Sequence, residues 1–249
     1  MKYKIIKTLI ITTFVSLNMI ACDAKNVSNN SKTVNTEIKM QKIEKKVEVK
    51  KMNMEDLHKL QSEKKNEKDI LIVDVRTAEE YEAGHIRYAI NYSLDDISKD
   101  VSKLSEYKDK QVIVYCRSGR RSAQAAQILL ESGFTNVSDA GGVNSYKYDL
   151  QKSFTNVSLQ QFKQKANEKN VLIVDTRTKE EFAKWNVKNS VNIQLQKLDE
   201  NLKNLPKDKS ILIYSSNGYD GVEFAEKLAK KGYKSIYNLI SNPSEKALK

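Results

Sequence analysis

Residues 70–94 read "ILIVDVRTAEEYEAGHIRYAINYSL" and residues 171–195 read "VLIVDTRTKEEFAKWNVKNSVNIQL". Laid together, the stretches share a Leu-Ile-Val-Asp run ending at Asp74 and Asp175, then Arg76 and Arg177, a pair of glutamates, and Asn91 and Asn192. Further on, "KDKQVIVYCRSGRRSAQAAQILLESGF" from Lys108 matches "KDKSILIYSSNGYDGVEFAEKLAKKGY" from Lys207, with Cys116 over Ser215. An internal repeat of about 100 residues sets the domain count at two: residues 52–150 and residues 153–249.

Within each copy, short apolar runs ("ILIV", "AINYS", "QVIVY", "NVSDA") alternate with helical segments ("AEEYEAG", "DDISKDVSKLSEY", "RRSAQAAQILLESG"). Continuous apolar strands suit a parallel sheet covered on both faces, so each copy is predicted to be an α/β domain with a parallel sheet flanked by helices. The helix after Cys116 is expected to bury a stripe of Ala123, Ala126, Gln127 and Leu130 and to stop at Gly133.

The 249 residues are 39% hydrophobic and 30% charged, as in an ordinary globular protein, and carry a net charge of +11. The lysines are scattered rather than gathered into a basic stripe interleaved with aromatics, which argues against nucleic acid as a partner. Residues 1–22 pair a basic start, "MKYKIIK", with an apolar stretch of signal-peptide length that ends at Met19, Ile20, Ala21 and Cys22. That ending resembles a bacterial lipobox and implies lipidation of Cys22, extracytoplasmic location and a membrane partner through a lipid anchor, on the periplasmic or cell-surface side. Residues 23–51, Asn/Ser-rich and then Lys/Glu-rich without an aromatic, read as a flexible tether.

Cys116 follows the apolar run "VIVY", and "CRSGRRS" leads into a helix. A strand-to-helix loop at the carboxyl end of a parallel sheet points unpaired backbone N–H groups inward and binds anions. A cysteine there is expected to be thiolate-prone, with Gly119 allowing a tight turn. Arg117, Arg120 and Arg121 are expected to supply positive charge near the thiolate, and Ser122 to cap the helix.

"DVRTAEEYEAGHI" from Asp74, "CRSGRRS" and the double glycine Gly141-Gly142, in this order, resemble the rhodanese family of sulfurtransferases. The resemblance covers both copies. It implies that Cys116 is the nucleophile, taking sulfur from a small anionic donor such as thiosulfate as a persulfide and passing it to a thiol, cyanide or protein acceptor. The amides of Arg117, Ser118, Gly119, Arg120, Arg121 and Ser122 would then form the cradle, with Tyr146 the nearest candidate for the aromatic that usually follows the double glycine. The Cys116-to-Arg121 loop is one residue shorter than in the related phosphatases, which favours sulfur transfer over phosphate chemistry.

The second copy reads "SSNGYDG", with Ser215 for the cysteine and Tyr219 and Asp220 for two arginines, and is expected to be silent. Asp74 and Arg76 recur there, so a structural role is expected for both, and likewise for Glu80 and Glu181. His85, opposite Asn186, reads as a loop tether, His58 as surface, and Trp185 as packing at the domain contact. Two histidines and no clustered carboxylates offer no metal site, and neither a P-loop nor a dinucleotide fingerprint is present, so no cofactor is expected. The competing reading is a lipid-anchored binding or redox-sensing module with a non-catalytic second domain.

Overall fold

A computed structural model describes residues 48–62, 70–241 and 243–248, all within one compact unit, Lys45–Lys249. Cys22 and the signal segment lie outside the described residues, as does the tether as far as residue 47. The first copy runs β1 (Lys50–Lys51), α1 (Met54–Ser62), β2 (Ile70–Asp74), α2 (Ala78–Glu82), β3 (Ile90–Asn91), α3 (Leu94–Asp100), β4 (Gln111–Cys116), α4 (Arg120–Glu131) and β5 (Asn136–Gly142). The second runs β6 (Thr155–Val157), α5 (Leu159–Ala166), β7 (Val171–Asp175), α6 (Lys179–Lys184), β8 (Val191–Asn192), α7 (Leu198–Asn201), β9 (Ser210–Tyr214), α8 (Tyr219–Lys230), β10 (Ile236–Leu239) and α9 (Glu245–Leu248).

Among the described residues the strands form one ten-stranded sheet in the order β1-β5-β4-β2-β3-β6-β10-β9-β7-β8. Every strand ladder among the described residues is parallel. The order within the first copy, β1-β5-β4-β2-β3, is repeated by the second, so the copies join head to tail at Ile90 opposite Asn156. The central runs are apolar on both faces because helices cover both: Val112, Ile113, Val114, Ile211, Leu212 and Ile213 are fully buried.

Local chemistry explains the element starts. Thr77 and Glu80 close a capping box at the head of α2, Thr178 and Glu181 at α6, and Ser158 and Gln161 at α5. The helix expected over residues 95–107 is α-helical only to Asp100. The Asp100 carboxylate takes the Ser102 amide, and the chain continues as a 3₁₀ helix, Val101–Tyr107.

Three further expectations are corrected. Lys50 and Lys51, read as tether, pair with Ser138 and Asp139 as an edge strand, held by the Lys51 ammonium 2.7 Å from the buried Asp139 carboxylate. The buried stripe of α4 is Ser122, Ala125, Ala126 and Leu129, rotated from the expected one, and Ala123 and Gln127 are exposed. The rotation follows from Ser122, whose hydroxyl faces inward, 3.0 Å from the Gly119 carbonyl and 3.2 Å from that of Gly141. Trp185 packs inside the second copy, its ring stacked on the Arg177 guanidinium at 3.7 Å and facing Tyr214, and not at the contact between copies.

Candidate active site

Cys116 ends β4, and the chain turns through Arg117-Ser118-Gly119 into α4. Gly119 sits at φ +98°, a left-handed conformation that suits glycine, and its N–H donates to Cys116 Sγ at 3.1 Å. On the far side, β4 and β5 shift register after Val114, which brings Gly141 opposite Tyr115 and Gly142 opposite Cys116. A Cβ on Gly142 would stand 2.6 Å from Ser118 Cα and 2.7 Å from the Arg117 carbonyl. Gly142 is therefore required by the close approach of two backbones, whereas Gly141 needs only its left-handed φ of +81°, and the Asn144 N–H to Arg117 carbonyl bond (3.2 Å) locks the two segments together.

Burial pushes the Cys116 thiol up. The amides of Ser122, Ser118 and Gly119 and the Ser122 hydroxyl outweigh it, so the thiol titrates below its ordinary value. Arg121 pairs first with Glu80 and also lies within reach of the Cys116 thiolate, so it brings positive charge there while bracing the loop. Arg121 gives Nη1 to Glu80 Oε2 at 2.6 Å and Nη2 to Oε1 at 2.8 Å, a fork that ties the start of α4 to the start of α2. The Arg121 pairing holds the Glu80 carboxyl down at about 2. Arg117 and Arg120 are exposed on the rim. Ser122 is not the helix cap: Gly119 holds that position, and the Ser122 hydroxyl faces the Cys116 side.

Asp74 and Arg76 serve as structural support beneath the loop. The Arg76 guanidinium grips the fully buried Asp74 carboxylate and donates to the Gly84 carbonyl at 2.7 Å. Tyr115, next to the cysteine, donates its hydroxyl to Asp74 at 2.7 Å and accepts the Ile86 N–H at 3.1 Å. Sequence reasoning passed over Tyr115, although its recurrence as Tyr214 in the second copy is a readable signal. His85 is buried, stacked on Tyr81 at 3.6 Å, with Nδ1 on the Tyr81 carbonyl. Burial lowers its pKa to about 4, so the imidazole is neutral. The tether at this point is its backbone, bridged to Gln151. His58 is exposed, as expected, and its ring lies 5.3 Å from that of the half-buried Tyr146.

In the second copy the corresponding amides are consumed internally. Ser215 Oγ accepts from Gly218 and Gly221, and Asn217 Oδ1 from Tyr219 and Asp220. Among the described residues no cluster of His, Cys, Asp and Glu is arranged to hold a metal.

The profile of the Rhodanese-like domain matches residues 54–149 and again 158–241. The chain belongs to the rhodanese family. Both rhodanese-like domains are α/β, with a parallel sheet flanked by helices. The thiosulfate sulfurtransferase PspE of Escherichia coli is 41% identical over 71 residues, 28% of this chain and 68% of that protein. GlpE of Coxiella burnetii, also named a thiosulfate sulfurtransferase, is 41% identical over 86 residues, 32% of this chain and 74% of that one. A tRNA uridine(34) hydroxylase of Hamiltonella defensa is 39% identical over 83 residues, but the match spans only 23% of its length. Among solved structures, a "rhodanese with anions from E. coli" shares 36% identity over 33% of this chain and 98% of its own, with a TM-score of 0.31.

Proposed function

We propose that the first rhodanese-like domain is a sulfurtransferase that uses thiosulfate or a similar anionic sulfane donor. The Cys116 thiolate attacks the outer sulfur of the donor. The donor S–S bond breaks, sulfite leaves with its electron pair, and Cys116 holds the sulfur as a persulfide anion. A thiolate or cyanide acceptor then attacks that terminal sulfur and carries it off, and the Cys116 thiolate is restored with no net oxidation. The observation that carries this reading is the Gly119 N–H on Cys116 Sγ at 3.1 Å at the start of α4, beside the Ser118 and Ser122 amides that help hold the thiol below its ordinary value. It stabilises thiolate and persulfide alike, and no resident proton donor is needed. The two relatives named thiosulfate sulfurtransferases support the choice of donor.

The second domain is silent because Ser215 replaces the thiol nucleophile and Asn217 Oδ1 takes the Tyr219 and Asp220 amides that an anion would need. The lipid anchor at Cys22, with an extracytoplasmic location, belongs to the same proposal, and a Cys22→Ser variant that still partitions with membranes would remove it. Among the described residues no helix is long and apolar enough to cross a membrane. Intact mass of the protein mixed with thiosulfate tests the chemistry. One added sulfur atom and released sulfite in wild type, absent in Cys116→Ser, is expected. No added sulfur from thiosulfate, mercaptopyruvate or polysulfide overturns it.

A further inference from the structure

The head-to-tail repeat covers one strand edge of the first domain, and among the described residues no strand pairs with the equivalent edge of the second. Along the first domain's ridge, residues 85–90, His85, Arg87, Tyr88, Ala89 and Ile90 are met by chain from the linker or the second domain. His85 exchanges backbone hydrogen bonds with Gln151 at 2.9 and 2.8 Å. Asn156 sends its side-chain amide to the carbonyls of Arg87 (2.8 Å) and Ala89 (3.2 Å) and pairs with Ile90. Arg87 forks onto Glu226 at 2.5 and 2.7 Å, and Tyr88 meets Tyr219 at 4.6 Å. As a result His85, Tyr88 and Ile90 are 1%, 5% and 0% exposed.

The matching ridge of the second domain is Asn186, Val187, Lys188, Asn189 and Val191. There Asn186, Lys188 and Asn189 are exposed, and Val191 stands 38% exposed. Beside it runs a groove of about 700 Å³ with an apolar floor of Phe162, Ala166, Ile173, Val187 and Leu248 and a rim that includes Lys163 and Lys188. Where the first domain has the Arg87–Glu226 pair, the second presents a lysine.

We infer that the β8 edge and its groove form a docking site for an extended, acidic segment of another polypeptide, which adds to β8 as a parallel strand and lays an aliphatic side chain into the groove. Segment 150–157 covers the equivalent edge of the first domain in cis, bridging antiparallel at Gln151 and pairing in parallel at Asn156, so the fold itself displays strand addition at this edge. Main-chain pairing supplies affinity, the groove supplies selection of the aliphatic residue, and the two lysines select carboxylates. A second copy of this chain is a poorer occupant: the strand equivalent to β6 is β1, whose Lys50-Lys51 brings more positive charge and replaces Asn156 with a lysine already bound to Asp139.

The test uses the full chain and a fluorescein-labelled peptide of residues 150–158 (LQKSFTNVS), beside the same peptide with Lys152→Glu, read by anisotropy. Saturable binding is expected, several-fold tighter for the acidic peptide. It should weaken about tenfold in Val191→Lys, which blunts the edge. In Lys188→Glu the preference for the acidic peptide should disappear. Both substitutions sit at exposed positions outside the Cys116 site, so sulfur uptake by Cys116 serves as a folding control. Absence of binding up to about 1 mM, a free energy near −4 kcal/mol, or binding indifferent to Val191→Lys, overturns the inference. Self-association that Val191→Lys abolishes overturns it in favour of a second copy.

Discussion

Arg121, in the first turn of α4, and Glu80, in the first turn of α2, form a two-bond fork at 2.6 and 2.8 Å that joins the cysteine loop to the conserved-in-repeat "DVRTAEEY" segment. Glu80 also completes the capping box of α2 through the Thr77 N–H. One carboxylate thus fixes both the loop and the helix beside it.

Glu80→Gln is expected to cost about 1 kcal/mol at neutral pH, since the pair is partly exposed and a cap is weakened with it. The folded carboxyl titrates at about 2 against an unfolded value of 4.5. Its contribution is therefore full above the unfolded value and is lost as pH falls toward the folded one. Urea melts of wild type and variant should differ at pH 6 and draw together progressively below pH 4.5, converging only as pH falls through about 2; a gap that does not shrink over that range refutes the role.

Ser122→Ala removes the hydroxyl and leaves the amides. The Cys116 thiol should titrate higher than in wild type, and kcat/KM for thiosulfate should fall about tenfold, as for one charge-assisted hydrogen bond of roughly 1.5 kcal/mol. Iodoacetamide alkylation against pH reads the thiol directly, and an unmoved inflection would assign the lowering to the backbone alone.

The two glycines after β5 should respond differently to alanine. At Gly142 a Cβ meets backbone at 2.6 Å, so Gly142→Ala is expected to push the loop off the cysteine, cost about 2–3 kcal/mol and reduce sulfur uptake more than 100-fold. At Gly141 nothing lies within 4 Å and only the φ of +81° is unfavourable. Gly141→Ala should cost about 1 kcal/mol and leave the cradle usable. Thermal melts and sulfite release on both variants separate packing from backbone strain.

Ser215→Cys is not expected to create a second sulfur carrier, because Asn217 Oδ1 already binds the Tyr219 and Asp220 amides at 2.9 and 3.0 Å. On a Cys116→Ser background its intact mass should stay unchanged after thiosulfate. Sulfur uptake there would show that the second cradle can open.

His85 is buried as neutral imidazole with a folded pKa of about 4 against 6.5 unfolded. A depressed folded value means that stability is full above 6.5 and falls as pH drops toward 4. His85→Gln should flatten the stability profile across that window, and the sulfur-transfer rate of wild type should show no inflection from this residue there.

The repeat, the parallel α/β pattern and the place of Cys116 at the end of a strand are legible in the amino-acid order, because apolar periodicity and glycine positions are local properties of the chain. The retention of Asp74 and Arg76 in a copy lacking the cysteine pointed to a structural role, and the buried pair they form braces Tyr115 and Gly84. Only the tertiary structure decided what each charge faces. Arg121 turns to Glu80, forty-one positions away, while Arg117 and Arg120 point to solvent, and one-dimensional spacing carries no sign of that difference. The inward turn of Ser122, the packing of Trp185 on Arg177 within its own domain and the edge pairing of Lys50 and Lys51 were likewise fixed by long-range packing. So was the head-to-tail junction at Asn156, since strand edges are matched by main-chain hydrogen bonds that any side-chain sequence can make and the partner is chosen by what the assembled sheet leaves uncovered.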